Sequence, residues 1–164
     1  MKTRILLLFL LLIGTLATYA ADYSGYYRIK GPRSGKYVTE SGGQTTFTSK
    51  TTKTTGEFSE MWCVMAISAG DGDAGYFIAN CATGNMVLTQ GSERTPHATS
   101  ATSCGIFYIK KTSGKFVISS KSDFSGNSCW HEDGSTRLVI WNSTESNSQF
   151  VSKAARPTSS AAAR

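Results

Sequence analysis

The strongest constraint on this chain is a phrase it writes more than once. "GYYRIKGPRSGKYV", residues 25–38, returns as "GYFIANCATGNMV", residues 75–87, and a looser copy opens at Gly114 with "GKFVI". Lined up on Gly25, Gly75 and Gly114, each copy leads into an aromatic within two residues. The first two then run through a turn into "SGKYVTE" and "TGNMVLT", while the third reaches "GNSCWHE" after the longer "KSDFSG". Each unit ends on a strand with an aromatic, Trp62, Phe107 and Phe150, spaced 45 and 43 residues apart. A fixed period of this size marks a repeat architecture.

Within each unit the apolar residues come in short runs of β-branched and aromatic types, such as "YYRI", "MWCVMAI", "KFVIS" and "RLVIW". Turn clusters such as "GPRSG", "AGDGDAG", "ATG" and "EDGS" separate them, and stretches that favour helix are scarce. The reading is all-β. Three units of four short strands are too few to close a propeller. They do close as a β-trefoil, with six strands forming a barrel and six forming the hairpins that cap it. The competing architecture is a β-sandwich or calycin barrel whose hairpins resemble one another.

The domain so defined does not begin at Met1. Lys2 and Arg4 precede an apolar run, Ile5 to Ile13, and small residues Thr18 and Ala20 flank Tyr19. This is the pattern of a secretory signal peptide over residues 1–20, with cleavage expected after Ala20. The run is too short for a membrane span. A β-trefoil domain is therefore expected over 21–153, with repeats at about 23–67, 75–111 and 112–152. The tail 154–164, small, polar and Pro-containing, is expected to be disordered. The mature chain should be secreted, or periplasmic in a bacterium, and monomeric. Its formal charge of +6 falls once Lys2 and Arg4 are gone, and the tail carries further cations. No Lys/Arg run interleaved with aromatics supports nucleic-acid binding.

"GYYRIKGPRSGKYV" resembles the start of ricin-type (R-type) lectin trefoil modules, in the divergent form seen in exported bacterial proteins. "EMWCV" resembles that family's Gln-x-Trp closing strand with Glu60 in place of Gln, and "LVIWNSTESNSQF" resembles its ending. The resemblance covers most of residues 23–152 and implies a shallow sugar site in each module. Such a site combines an acidic or amide side chain on the second strand, a stacking ring on the third and an Asn/Gln pair before the fourth. Vicinal hydroxyls need fixed polar partners and the sugar's CH face needs an apolar platform. Carried onto the third module, Trp141 matches the ring, Asn147 the Asn and Gln149 the Gln. Two positions depart: the usual Asp is His131, flanked by Glu132 and Asp133, and Val139 stands where a Gln is usual. Alternation along "SCWHED" puts His131 and Asp133 on one face and Trp130 and Glu132 on the other, so His131 and Asp133 could share a ligand. The first module offers Tyr37, Thr39, Glu40 and Phe47, and the second Met86, Thr89 and Gln90, without a convincing ring on the following strand.

Four cysteines in a small exported chain suggest two disulfides, for which three pairings exist. Cys63 and Cys81 lie symmetrically about Gly72, which favours Cys63 with Cys81 and, by elimination, Cys104 with Cys129. No cysteines lie close enough in sequence to suggest a metal site. There is no Gly-x-Ser-x-Gly elbow and no His-Glu-x-x-His motif, and "GDGD" at residues 70–73 lacks the spacing of a calcium loop. The expectation is a non-enzyme without cofactor or metal that binds a carbohydrate. The alternative is a trefoil scaffold that has lost sugar binding and contacts a protein through the loops 45–57 and 91–103. A sequon, Asn142-Ser143-Thr144, follows Trp141 directly.

Overall fold

The computed structural model describes residues 22–41, 44–48, 58–67, 75–89, 96–99, 104–135 and 137–154. The expected leader, the "GDGD" turn, Gln90, most of the loops 45–57 and 91–103, the side chain of Phe47 and the tail beyond Ala154 lie outside the described residues.

The β-branched and aromatic runs form twelve described strands in three groups of four. The first group is β1 (Gly25–Lys30), β2 (Tyr37–Ser41), β3 (Gln44–Thr48) and β4 (Trp62–Ile67). The second is β5 (Gly75–Asn80), β6 (Met86–Leu88), β7 (His97–Thr99) and β8 (Tyr108–Thr112). The third is β9 (Lys115–Ser119), β10 (Cys129–Glu132), β11 (Leu138–Trp141) and β12 (Val151–Ala154). Single 3-10 turns, Phe58–Glu60 and Ser146–Ser148, precede β4 and β12.

Six of these strands pair in a ring. β1 pairs with β4, β4 with β5, β8 with β9, and β12 returns to β1. The Tyr76–Phe107 bridge joins β5 to the start of β8, and the Phe116–Phe150 bridge joins β9 to the start of β12. Closure removes the exposed strand edges that an open sheet would present. The remaining six strands form the hairpins β2–β3, β6–β7 and β10–β11. This is a β-trefoil, as the repeat predicted.

The core follows the threefold pattern. The closing aromatics Trp62, Phe107 and Phe150 are at most 1% exposed, and each stands opposite an aromatic of its module's first strand: Tyr27, Tyr76 and Phe116. That register corrects the alignment on the three glycines. Gly75 lies one residue off the position of Gly25 and Gly114, because Tyr76 rather than Phe77 is the counterpart of Tyr27. A one-residue slip exchanges the two faces of a strand, and indeed Tyr76 and Ile78 are buried while Phe77 is half-exposed. The glycines also do different work. Gly114 (φ 79°) follows Ser113 (φ 50°) in a two-residue mirror-image turn between β8 and β9. Gly75 has an ordinary backbone, but a Cβ there would meet Ile106 Cγ2 at 2.7 Å.

The expected disulfides are absent: Cys63, Cys81, Cys104 and Cys129 are all free thiols. The β4–β5 register explains the failed pairing, since Cys63 stands opposite Ala79 and the Cys81 N–H bonds to Met61 O. The hairpin is thus centred one residue before Gly72, and Cys81 falls diagonal to Cys63 rather than opposite it. Burial, with a further push from neighbouring Cys63, raises the Cys81 thiol to about 11. Cys129 is buried at 0% exposure and Cys104 is exposed.

Two carboxylates tie modules together, and one of them fixes the ground beneath the third hairpin. The first turn of each module is closed by a main-chain bond: Gly31 N to Lys36 O, Asn80 N to Asn85 O and Ser120 N to Ser128 O. Counting on from Lys36, Asn85 and Ser128 makes Glu40, Thr89 and Glu132 threefold equivalents. Glu40 accepts hydrogen bonds from Thr83 Oγ1 (2.5 Å) and Asn85 Nδ2 (2.7 Å) on the second module's turn. Glu132, fully buried, accepts the main-chain N–H groups of Arg33 (2.6 Å) and Ser34 (3.1 Å) on the first module's turn. Thr89 has no carboxylate to offer the third module's turn, and its buried hydroxyl has no partner among the described residues.

Candidate functional site

In the third module the hairpin β10–β11 is held in register by Cys129 opposite Trp141, Trp130 opposite Ile140 and His131 opposite Val139. Alternation then divides its residues. Trp130 lies in the core at 0% exposure, edge-on to Phe107 and Phe150, and Glu132 is buried beneath the first module's turn. His131 and Asp133 face outward. An open groove of about 480 Å³ runs along this outer face, lined by His131, Asp133, Gly134, Arg137, Val139 and Trp141, with Ile140 at its floor.

Trp141 is 39% exposed, although a tryptophan at a strand end is ordinarily drawn into the core. Its ring stands 6.3 Å from that of His131 at an angle of 48°. The imidazole is fixed by a chain of bonds. Ser148 Oγ donates its single proton to Asn142 O (2.8 Å), so His131 Nδ1, at 3.0 Å from that oxygen, is the donor to it. The proton therefore sits on Nδ1 and Nε2 is left as an acceptor beside the indole. Burial lowers the His131 pKa, with a small further push from Arg33, against the opposing pull of Glu145, Asp133 and Glu132. The ring is neutral at pH 7.

Asp133 has a different occupation. Oδ1 accepts the main-chain N–H groups of Ser135 (2.8 Å) and Arg137 (2.8 Å), and Oδ2 takes the Arg137 guanidinium through Nε (2.8 Å) and Nη2 (2.7 Å). Its burial alone would raise the carboxyl pKa, but the bonds from Arg137 and Ser135 outweigh that and hold it below the usual range. Four donors saturate the carboxylate, which shapes the turn between β10 and β11 and has little capacity for a second, bidentate partner.

Of the residues singled out from the sequence, the groove therefore brings together Trp141, His131 and Asp133. Asn147 and Gln149 are half-buried in and after the 3-10 turn and do not line it. The residue that reaches the groove's polar wall from this turn is Ser148, which is buried and holds His131. Its place is legible after the fact. Glu60 stands two residues before Trp62 and Ser148 two before Phe150, each ending a 3-10 turn, so Ser148 rather than Gln149 is the counterpart of Glu60. Arg137 and Arg33 were likewise missed, because a long cation in a turn reads as a solvated side chain until its neighbours are known. Glu40 and Thr39 are buried, with Glu40 engaged in the inter-module contact, while Tyr37 and Met86 are half-buried on their hairpins without a described ring beside them.

No protein-family profile matches the chain, and no curated protein matches it in sequence. Solved structures do match. The Rhizoctonia solani agglutinin superposes with a TM-score of 0.65 at 14% identity, covering 84% of this chain and 99% of that one. A ricin B-like lectin from Macrolepiota procera, solved in complex with lactose, gives 0.63 at 12% identity over 84% of this chain and 100% of the other. An endo-β-galactosidase from Clostridium perfringens that releases GlcNAcα1-4Gal also gives 0.63, at 15% identity, over 82% of this chain but 34% of that enzyme. At these identities the likeness is one of fold.

Proposed function

We propose that the protein is a secreted, non-catalytic carbohydrate-binding β-trefoil whose working site is the groove of the third module. The observation that carries this reading is the half-exposed Trp141 ring standing beside a neutral His131 whose Nε2 is free to accept from a sugar hydroxyl. An exposed indole supplies the apolar platform for a sugar's CH face. The fold, shared with two lectins along nearly their whole lengths, supports the same class of ligand. A binding role without turnover is supported by the saturation of Asp133, which leaves the groove's own carboxylate unsuited to acid–base work.

The decisive experiment is binding of residues 21–164 to a broad glycan array, with Trp141→Ala beside it after both proteins are shown to fold. Loss of a stacking ring should weaken glycan binding by up to about tenfold, on the order of 0.5–1.5 kcal/mol. Binding that persists unchanged in the variant moves the site elsewhere. A folded protein that binds no glycan refutes the reading and leaves the protein-binding scaffold. The specific observation in favour of that second reading is again Asp133: without a free carboxylate, the groove lacks the fixed bidentate partner that discriminates among sugars.

A further inference from the structure

The sugar groove does not end at Gly134. The guanidinium of Arg33, from the first turn of the first module, lies directly against that residue, with Nη1 3.3 Å from the point where a Cβ on Gly134 would stand. A Cβ there would push the guanidinium aside by a few tenths of an ångström, so the bare glycine leaves room for the cation in its present place on the rim of the groove. Glu132 makes this contact durable, because it is buried beneath the hairpin and grips the main-chain N–H groups of Arg33 and Ser34. The turn is also charged. Lys30, Arg33 and Lys36 fall within the seven residues "KGPRSGK" without an acid among them, and Lys30 folds across Gly35 (3.4 Å from its Cβ position).

Charge balance sharpens the point. Glu40 is bonded to Thr83 and Asn85, Glu60 lies 3.9 Å from Arg28, and Glu132 is engaged by the main-chain N–H groups of Arg33 and Ser34, so none of the three holds the side chain of Lys30, Arg33 or Lys36. Asp133 is matched by Arg137 within the groove wall. Among the described residues no carboxylate forms an ion pair with Lys30, Arg33 or Lys36. Arg33 and the exposed Glu145 both act on His131, with opposite sign.

Resting on the sugar-binding reading, the geometry points to an acidic glycan as the ligand: a neutral ring stacks on Trp141, and an adjoining unit bearing a carboxylate or sulfate is held by Arg33, with Lys30 and Lys36 beyond it. Guanidinium is the side chain best suited to both anions, since its fork of N–H donors matches two oxygens at once.

The test uses one short oligosaccharide of the kind bound on the glycan array, in three forms: neutral, sulfated, and ending in a uronate. Inorganic polyphosphate serves as an anion without a sugar. Titrations compare the wild-type protein with Arg33→Gln, Lys36→Gln and Trp141→Ala. The latch to Glu132 uses the main chain, so Arg33→Gln leaves it in place. Three solvated cations should favour an anionic form over the neutral one by about tenfold at low salt, an advantage that shrinks as salt rises. Arg33→Gln should collapse most of the ratio of anionic to neutral affinity measured within that variant, Lys36→Gln should lower the ratio less, and Trp141→Ala should weaken all three chains. Whichever anion gains more identifies the source as sulfate ester or uronate. Equal affinity for neutral and anionic chains overturns the acidic-glycan inference and leaves the lectin standing. Polyphosphate bound as tightly as the anionic sugars, with no effect of Trp141→Ala, overturns it in favour of a bare charge patch. Failure of all three chains to bind overturns the sugar reading itself.

Discussion

A single hydroxyl decides the chemistry of the groove. Because Ser148 gives its proton to Asn142 O, it can only accept from His131, and this fixes the imidazole tautomer without any charged partner. The same burial that creates the contact lowers the His131 pKa below the ordinary histidine value of 6.5. Nitrogen-resolved NMR should therefore show an Nδ1-protonated neutral ring titrating below 6.5, and Ser148→Ala should free the ring to exchange tautomers. Arg33→Gln removes a nearby positive charge and should move the midpoint upward. The linkage has a definite sign. A histidine whose folded pKa is depressed binds fewer protons folded than unfolded, so its contribution to stability is whole above the unfolded value and declines as pH falls through it toward the folded one. The half-exposed ring makes that effect small. A midpoint above 6.5 would contradict the arrangement. Trp141 and His131 were legible in the sequence because strand alternation sets residue 131 on the face opposite Trp130 and the family-like ending marks residue 141. Ser148 was not, because its role depends on a contact across 17 residues, and Arg33 was not, because it reaches the groove from another module.

At the scale of the strand pair, the three equivalent positions Glu40, Thr89 and Glu132 form an internal comparison. Two carry a carboxylate bonded to the next module's turn, and Thr89 carries a hydroxyl with no partner among the described residues. The asymmetry matches the turns themselves. In the first two modules the closing bonds span five residues, Gly31 to Lys36 and Asn80 to Asn85, while the third spans eight, Ser120 to Ser128, and satisfies several of its amides internally through Ser119, Lys121 and Asp123. Glu132→Gln would set an NH2 donor against two main-chain N–H donors and should cost about 1–3 kcal/mol, read as a lower denaturant midpoint. Thr89→Val, by contrast, deletes a buried hydroxyl that has no partner and should be neutral or stabilising by up to about 1 kcal/mol. A loss at residue 89 as large as that at residue 132 would mean Thr89 has a partner after all. None of this was open to sequence reading, in which Glu132 was one of three adjacent polar residues. The failed cysteine pairing has the same origin, since symmetry about Gly72 assumed a hairpin centre that the β4–β5 register places one residue earlier.

The molecule as a whole is held by a ring, and that ring was the most legible feature of the sequence because it rests on aromatics placed once per repeat. Tyr27 faces Trp62, Tyr76 faces Phe107 and Phe116 faces Phe150, and the closing three are packed to at most 1% exposure. The ring also explains why the groove stays in place at the rim: Trp130, one residue from His131, inserts edge-on between Phe107 of the second module and Phe150 of the third. Removing Phe107 should therefore be felt far from its own module. Phe107→Ala deletes a buried ring where the β5 and β8 ends bridge, a change worth about 3–5 kcal/mol in a well-packed core. If the three modules fold as one unit, the variant should unfold in a single transition at a lower temperature, with near-UV circular dichroism from the tryptophans and far-UV signal lost together. Trp141→Ala, at an exposed position, should leave that transition nearly unchanged. The contrast separates the two aromatics that the sequence presents alike: one closes the fold, and the other is available to a ligand. Two resolved transitions in Phe107→Ala, with the third module melting apart from the second, would show that the groove's support is local and that the ring is not what holds it.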